Sequence, residues 1–327
     1  MKIYVTGGSG FLGGHLIEHL VGKGHEVVAM ARSDASATLV ESYGATASRA
    51  DLSSLTPDQV AGCEVFIHGA ARAEEWGTRK QFWSTNVEGT SAVLGVARQA
   101  RVRRFIHVGT EAAVFSGHDL IDIDETYPYP KKHRYLYSET KAEAEKIVLA
   151  ESEIETLSIR PRLIWGPRDT TILPALLEMH RKGVFAWIDG GRQRISTAHV
   201  SNVVHALELA LTRGAPGRAY FVVDEGTRTI REFVTDLVES ASGITLGERN
   251  LPSKLARPVA TLVEGLWRLL RIPSPPPMSR IGVDFMSSSV TVSDNRARTE
   301  LTYAPVTKVE EGMAELKALR EEKGRVP

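Results

Sequence analysis

The sequence predicts an α/β protein, with a doubly wound parallel sheet and a smaller C-terminal lobe. Three observations predict it. A short apolar strand runs directly into a glycine-rich turn and a helix. Strand and helix patterns then alternate as far as Arg160. The chain, at 327 residues, is long enough for a large buried core and a second lobe beyond it.

Residues 2–6 form the first strand. After the turn, Leu12, Leu16, Ile17, Leu20 and Val21 recur at helical spacing, and Gly22 and Gly24 end that helix. Glu26–Ala31 supplies a second strand and completes one βαβ unit. Val65–His68 and 105–108 read as buried strands. Helices are expected over 81–100, with Val87, Val93, Leu94 and Val96 among its apolar positions, and over about 135–150; 156–160 returns as a strand. Beyond Pro167 the rhythm loosens into helical stretches near 171–182, 200–213 and 229–241, with short strands at 185–188 and 220–223. Pro273, Pro275, Pro276 and Pro277 mark a rigid, non-helical connection. The expected division is a first domain over 1–166, to which about 195–225 returns, and a lobe over most of 167–327.

Forty basic and forty acidic side chains cancel, so no global field argues for nucleic acid or an anionic surface. No segment approaches the length of an uninterrupted apolar span, and the opening residues Lys2-Ile3-Tyr4-Val5-Thr6 read as a strand rather than a signal peptide. The single cysteine, Cys63, rules out an internal disulfide and suits the reducing cytoplasm; as a small hydrophobe it is expected in the core. His133, His199 and His205 lack metal-ligand spacing, so no metal site is expected.

Gly7, Gly10 and Gly13 follow the spacing G-x-x-G-x-x-G between strand and helix. Close approach of backbone to phosphate needs a missing Cβ, and a helix opening at Phe11 and Leu12 offers free N–H groups and a positive dipole end to a pyrophosphate. The turn therefore predicts a dinucleotide. At the end of the second strand the sequence is Met30-Ala31-Arg32-Ser33, without the carboxylate that usually binds an NAD ribose. Arg32 can pair with a 2′-phosphate and stack on adenine, and Ser33 can donate to it, so NADP(H) is expected, with NAD(H) the alternative. Asp51 and Leu52 fall where such folds approach the adenine. Ala70 and Ala71 end a strand in small residues, and Asn86 is expected near the cofactor or holding its helix against the sheet.

Tyr137 and Lys141, four apart, share one helix face. A phenol titrates near pH 10, and a neighbouring ammonium is expected to draw it down towards the working range for proton transfer. Thr110, ending a strand, offers a second hydroxyl to polarise a carbonyl. Lys141 can also bind nicotinamide ribose hydroxyls. Together the three residues predict hydride transfer between a nicotinamide and a carbinol or carbonyl carbon.

With these pieces, and Asn86 to Thr90 and Arg160-Pro161, the chain resembles the extended short-chain dehydrogenase/reductases over nearly its whole length. Within them it is similar to the 3β-hydroxysteroid dehydrogenase-like branch, which includes sterol-4-carboxylate 3-dehydrogenases and 2-alkyl-3-oxoalkanoate reductases. The segment 160–167, Trp76-Gly77 and Leu266 to Leu270 point to the last group. The resemblance implies catalytic roles for Thr110, Tyr137 and Lys141, cofactor contact at Pro161, and a homodimer formed by the helices near 81–100 and 135–150. It also shows one departure: the usual catalytic serine is Thr110 here, preceded by Gly109.

An apolar pocket wall is expected from Trp76, Trp165, Phe185 and Trp187, with Arg162 and Arg168 as candidates to meet a substrate carboxylate. The expected substrate is a large apolar 3-oxo acid or a sterol-like skeleton. A nucleotide-sugar epimerase or dehydratase is the alternative; Glu111 after Thr110 would serve a dehydratase, whereas 159–166 contains no Asn to meet a sugar nucleotide. A cofactor sensor that has lost the chemistry is disfavoured by the intact Thr110, Tyr137 and Lys141. The apolar helix 255–272 reads either as an ordinary packed surface helix or as one that caps the pocket or lies along a membrane.

Overall fold

A computed structural model describes residues 1–323. Seven parallel strands, β1 (Lys2–Thr6), β2 (Glu26–Ala31), β3 (Thr46–Arg49), β4 (Val65–His68), β5 (Arg104–Val108), β6 (Glu155–Pro161) and β7 (Arg218–Val222), form the central sheet. Their order is β7-β6-β5-β4-β1-β2-β3. This is the predicted doubly wound sheet. Side-chain alternation along each strand splits the core in two. Ile3, Val5, Ile67, Ile106 and Ile159 pack on one face with Leu16, Ile17, Val203 and Leu207. On the other, Tyr4, Phe66 and Phe105 stand in register and stack with centroids 5.0 and 5.1 Å apart. Both faces are covered, which is why β4 and β5 read as near-continuous apolar runs.

The strand order reverses at β1, between β2 and β4, so the loops leaving β1 and β4 diverge and open a crevice at the sheet's C-terminal edge. Four of the residues singled out for the chemistry lie at that edge, Gly7 after β1, Ala70 after β4, Thr110 after β5 and Pro161 closing β6, whereas Asn86 and Lys141 reach it from helices.

The helix expected over 81–100 starts earlier, at Arg79, where Thr78 and Gln81 form a capping box. It runs through a π-helical turn at Trp83–Glu88 before continuing as Gly89–Gln99. The helix expected over 135–150 is Leu136–Leu149. Around the central sheet the Asp34–Ser42 helix and β3 lie outside the sequence reading, and so do the later helices Arg280–Ser287 and Val309–Lys323. The edge strand, Thr-Ala-Ser-Arg, carries no apolar signal and owes its form to pairing with β2.

Outside the central sheet, a second sheet joins distant pieces, Arg228–Thr229, Arg194–Ile195, Val290–Val292 and Leu120–Ile123. The strand expected over 185–188 shortens to Trp187–Ile188. The apolar stretch 255–272 is the helix Ser253–Leu269, and no described helix is long and apolar enough to cross a membrane.

Candidate active site

The turn after β1 is shaped by absent side chains. Gly7 has φ +78°, and a Cβ there would stand 2.7 Å from the Gly69 carbonyl carbon. A Cβ on Gly13 would lie 2.1 Å from the Gly7 oxygen. Gly10 caps the Phe11–Gly22 helix with no side chain accepting from its first N–H groups. Backbone donors at Phe11 and Leu12 are thus left for an anion, the arrangement a dinucleotide pyrophosphate needs.

At the end of β2, Arg32 is exposed and makes no side-chain hydrogen bond or ion pair among the described residues. The nearby Asp34 is taken by Arg49 at 2.5 Å. Ser33 caps the next helix: its hydroxyl accepts from Ser36 N at 3.2 Å. Asp51 accepts from the Ser53 hydroxyl and from the Ser53 and Ser54 amides, and those bonds hold its carboxyl below the usual range. Leu52 packs against Gly89 at the π-helical turn. Asn86, on that turn, accepts from the Arg72 amide at 2.7 Å and donates to Thr140 Oγ1 at 3.0 Å. It ties the Ala70–Ala71 loop to the Tyr137 helix.

Thr110 and Tyr137 come together. Thr110 Oγ1 accepts from the Ala112 amide at 3.2 Å, donates to Glu111 Oε2 at 3.0 Å, and stands beside the Tyr137 phenol. Burial pushes that phenol up to about 12; the buried Glu111 carboxylate adds to the rise and the Thr110 hydroxyl opposes it. Lys141 does not draw Tyr137 down as expected. Its Nζ donates to the Val108 carbonyl at 2.7 Å and lies 3.3 Å from His107 Nε2. Burial depresses Lys141 itself to about 8.

Beneath this group lie polar residues that sequence reading passed over. His68 bridges Thr6 Oγ1 (2.7 Å) and Thr90 Oγ1 (2.9 Å), and burial holds it neutral, at about 3. One turn beyond Lys141, the buried Glu145 accepts from Arg160, Tyr129 and Ser158 at 2.6 to 3.0 Å. A Cβ on Gly109 would sit 2.4 Å from Ser158 Oγ and 2.7 Å from Glu145 Oε2, which explains the glycine before Thr110. The available signal was the run Tyr137, Lys141, Glu145 at spacings of four, all on one helix face.

The expected pocket wall is largely not a wall. Trp165, wholly buried, donates to Asp224 at 2.8 Å and meets Phe233 edge-on; Phe185 and Trp187 pack together at 4.9 Å, with Trp187 donating to the Gly247 carbonyl. All three belong to the core of the C-terminal layer, where their large area is removed from water. Only Trp76 sits by the crevice loop, bonded to the Ile272 carbonyl with Arg268 over its ring. Arg168 faces away, locked to Glu18 on the first helix. Arg162 is buried, 3.5 Å from Glu111, and donates to the Ser196 carbonyl. The apolar group that does contain Tyr137 includes Phe115 and Phe285, stacked at 4.8 Å. A separate cleft of about 670 Å³, lined by His15, His19, His205 and Glu208, shares no residue with Thr110, Tyr137 or Lys141. Among the described residues no three His, Cys, Asp or Glu side chains are grouped to hold a metal.

A profile of the 3-beta hydroxysteroid dehydrogenase/isomerase family matches residues 4–253. The chain belongs to that family. It is thus an extended short-chain dehydrogenase/reductase, an oxidoreductase acting between CH–OH and C=O. Family members of similar length include a 4-hydroxy-2-methyl-3-oxo-4-farnesyl-3,4-dihydroquinoline-1-oxide ketoreductase from Stigmatella aurantiaca, 40% identical over 97% of this chain and 96% of that one. A 2-alkyl-3-oxoalkanoate reductase from Stenotrophomonas maltophilia is 33% identical over 97% and 99%. A decarboxylating sterol-4-alpha-carboxylate 3-dehydrogenase from Dictyostelium discoideum is 29% identical over 96% and 99%. The crystal structure of gox2253 superposes with a TM-score of 0.78 at 26% identity, covering 100% of this chain and 99% of that one. The dTDP-glucose 4,6-dehydratase DesIV from Streptomyces venezuelae, with NAD bound, shares the fold at 19% identity, with a TM-score of 0.77 over 99% and 98%.

Proposed function

We propose that this family member is an NADP(H)-dependent ketoreductase for a large apolar substrate whose 3-oxo carbon neighbours an alkylated carbon. The observation that carries the reading is the Thr110–Tyr137 pair, placed after β5 in an apolar group with Phe115 and Phe285. The names of the three relatives support the substrate class, since each describes an oxidation or reduction at position 3 beside a substituted carbon. The exposed, unengaged Arg32 and the absence of a free carboxylate beside it support NADP(H).

Once bound, the nicotinamide supplies the hydride. The chain does the rest. Gly7, Gly10 and Gly13 with the first helix hold the pyrophosphate, and Arg32 meets the 2′-phosphate. Turned from Glu111, the Thr110 hydroxyl polarises the ketone, and Tyr137 Oη gives its proton to the oxygen as the carbon is reduced, leaving a secondary alcohol. A phenol held near 12 keeps its proton at neutral pH, the form that reduction uses. Lys141 braces the strand end through the Val108 carbonyl with one of its three N–H donors and keeps the others for ribose hydroxyls.

A sugar-nucleotide reading has less behind it: DesIV, at 19% identity, shows the fold alone, and Glu111 is held near Arg162. The test is fluorescence titration with NADPH and NADH, followed by turnover of long-chain 2-alkyl-3-oxo acids, prenylated cyclic ketones and 3-keto sterols. Tighter NADPH binding and oxidation driven by one of these ketones are expected. NADH preference would sink the Arg32 argument, and turnover confined to nucleotide sugars would sink the substrate class.

A further inference from the structure

The helix Ser253–Leu269 is built inside out. Facing the protein it buries Ala256, Ala260 and the Glu264 carboxylate, while Leu255, Val259, Leu262, Leu266, Leu269 and the following Leu270 are exposed. Leu262 is 73% and Leu269 79% exposed, so no element among the described residues covers them. At helical spacing these six residues fall on one stripe roughly 100° wide. An apolar stripe of that size on a soluble fold marks a contact surface.

Charge identifies what it contacts. Between 253 and 280 the chain carries Lys254, Arg257, Arg268, Arg271 and Arg280, against one acid, Glu264. Glu264 is buried and bound to Arg280 at 2.8 Å, and Arg257 is held by Asp284 at 2.7 Å. Lys254, Arg268 and Arg271 have no carboxylate partner among the described residues. Every charged side chain of this segment left without a carboxylate is therefore cationic.

We propose that this face docks in the interfacial layer of an anionic phospholipid bilayer, leucines among the acyl chains and the three cations at the phosphates. A second copy fits less well. Twofold pairing through this helix would bring Lys254, Arg268 and Arg271 against their own kind, with no acid on the segment to meet them. Docking would place the crevice loop close to the membrane, since Trp76 bonds the Ile272 carbonyl just beyond the helix.

The test is co-sedimentation of the full chain with vesicles of phosphatidylcholine alone and with added phosphatidylglycerol. Binding to the anionic vesicles, weakening as salt rises, is expected. Leu262→Ser and Leu269→Ser should each weaken it about tenfold, and Lys254→Glu or Arg271→Glu at least about fivefold. These side chains are exposed, and unchanged circular dichroism and thermal transitions will show the variants folded. Three results would overturn the proposal: no vesicle binding, equal binding to neutral vesicles, or binding indifferent to the leucine variants. A solution dimer that Leu262→Ser splits, without vesicle binding, would assign the stripe to a second copy instead.

Discussion

Lys141 places its Nζ 2.7 Å from the carbonyl oxygen of Val108, the residue two before Thr110. The ammonium thus braces the strand end that carries the threonine, and burial rather than a neighbouring charge governs the Tyr137 phenol.

Depression of Lys141 to about 8, from an ordinary 10.5, has a consequence for stability. Below pH 8 both folded and unfolded states carry the charge, and burying it costs the folded state. Between about 8 and 10.5 the folded state has released the proton and the unfolded state still holds it, so the Lys141 contribution to stability rises with pH. The full span is on the order of 3 kcal/mol. Lys141→Met should flatten that rise relative to wild type in urea denaturation at pH 7 and pH 9; parallel curves would contradict it.

Tyr137→Phe removes the proton donor while keeping the ring in its apolar group. We expect kcat to fall by roughly 10²–10⁴-fold with NADPH affinity unchanged, measured by single-turnover kinetics and fluorescence titration. A small loss of rate would mean that another group supplies the proton.

Arg32→Asp should exchange cofactor preference. Loss of a charge-assisted bond to the 2′-phosphate costs about 1.5–3 kcal/mol, roughly a tenfold or greater rise in the NADPH Kd. The new carboxylate should improve NADH binding through the ribose hydroxyls.

Gly13→Ala would place a methyl 2.1 Å from the Gly7 oxygen, where only backbone can yield. Dinucleotide affinity should drop by at least about tenfold, or 1.4 kcal/mol, in the same titration.

Glu145→Gln leaves the Arg160 guanidinium buried without its counter-charge. Breaking a buried pair from one side costs about 3–5 kcal/mol, visible as a lower urea midpoint at constant slope. Near-wild-type stability would show that Tyr129 and the neutral amide oxygen at position 145 satisfy Arg160.

The glycine turn, the two long helices and the Thr110, Tyr137, Lys141 set were legible in the sequence because each depends on local rules: a missing Cβ, helical periodicity, a four-residue spacing. Where β3 and the second sheet form was not legible, because those short strands acquire their hydrogen bonds from segments distant in the chain. The aromatic residues make the same point. Their composition suggested a pocket, but only packing could decide that Trp165 and Trp187 fill a core while Phe115 and Phe285 share an apolar group with Tyr137.

By itself, the sequence determined that a dinucleotide turn precedes a phenol and an ammonium on one helix, because those relations span a few residues and follow from backbone geometry. The tertiary structure alone decided what each charge faces: Lys141 against the Val108 carbonyl, Arg168 against Glu18, Glu145 against Arg160. Long side chains choose partners across the fold, and burial sets how strongly each choice shifts their protons.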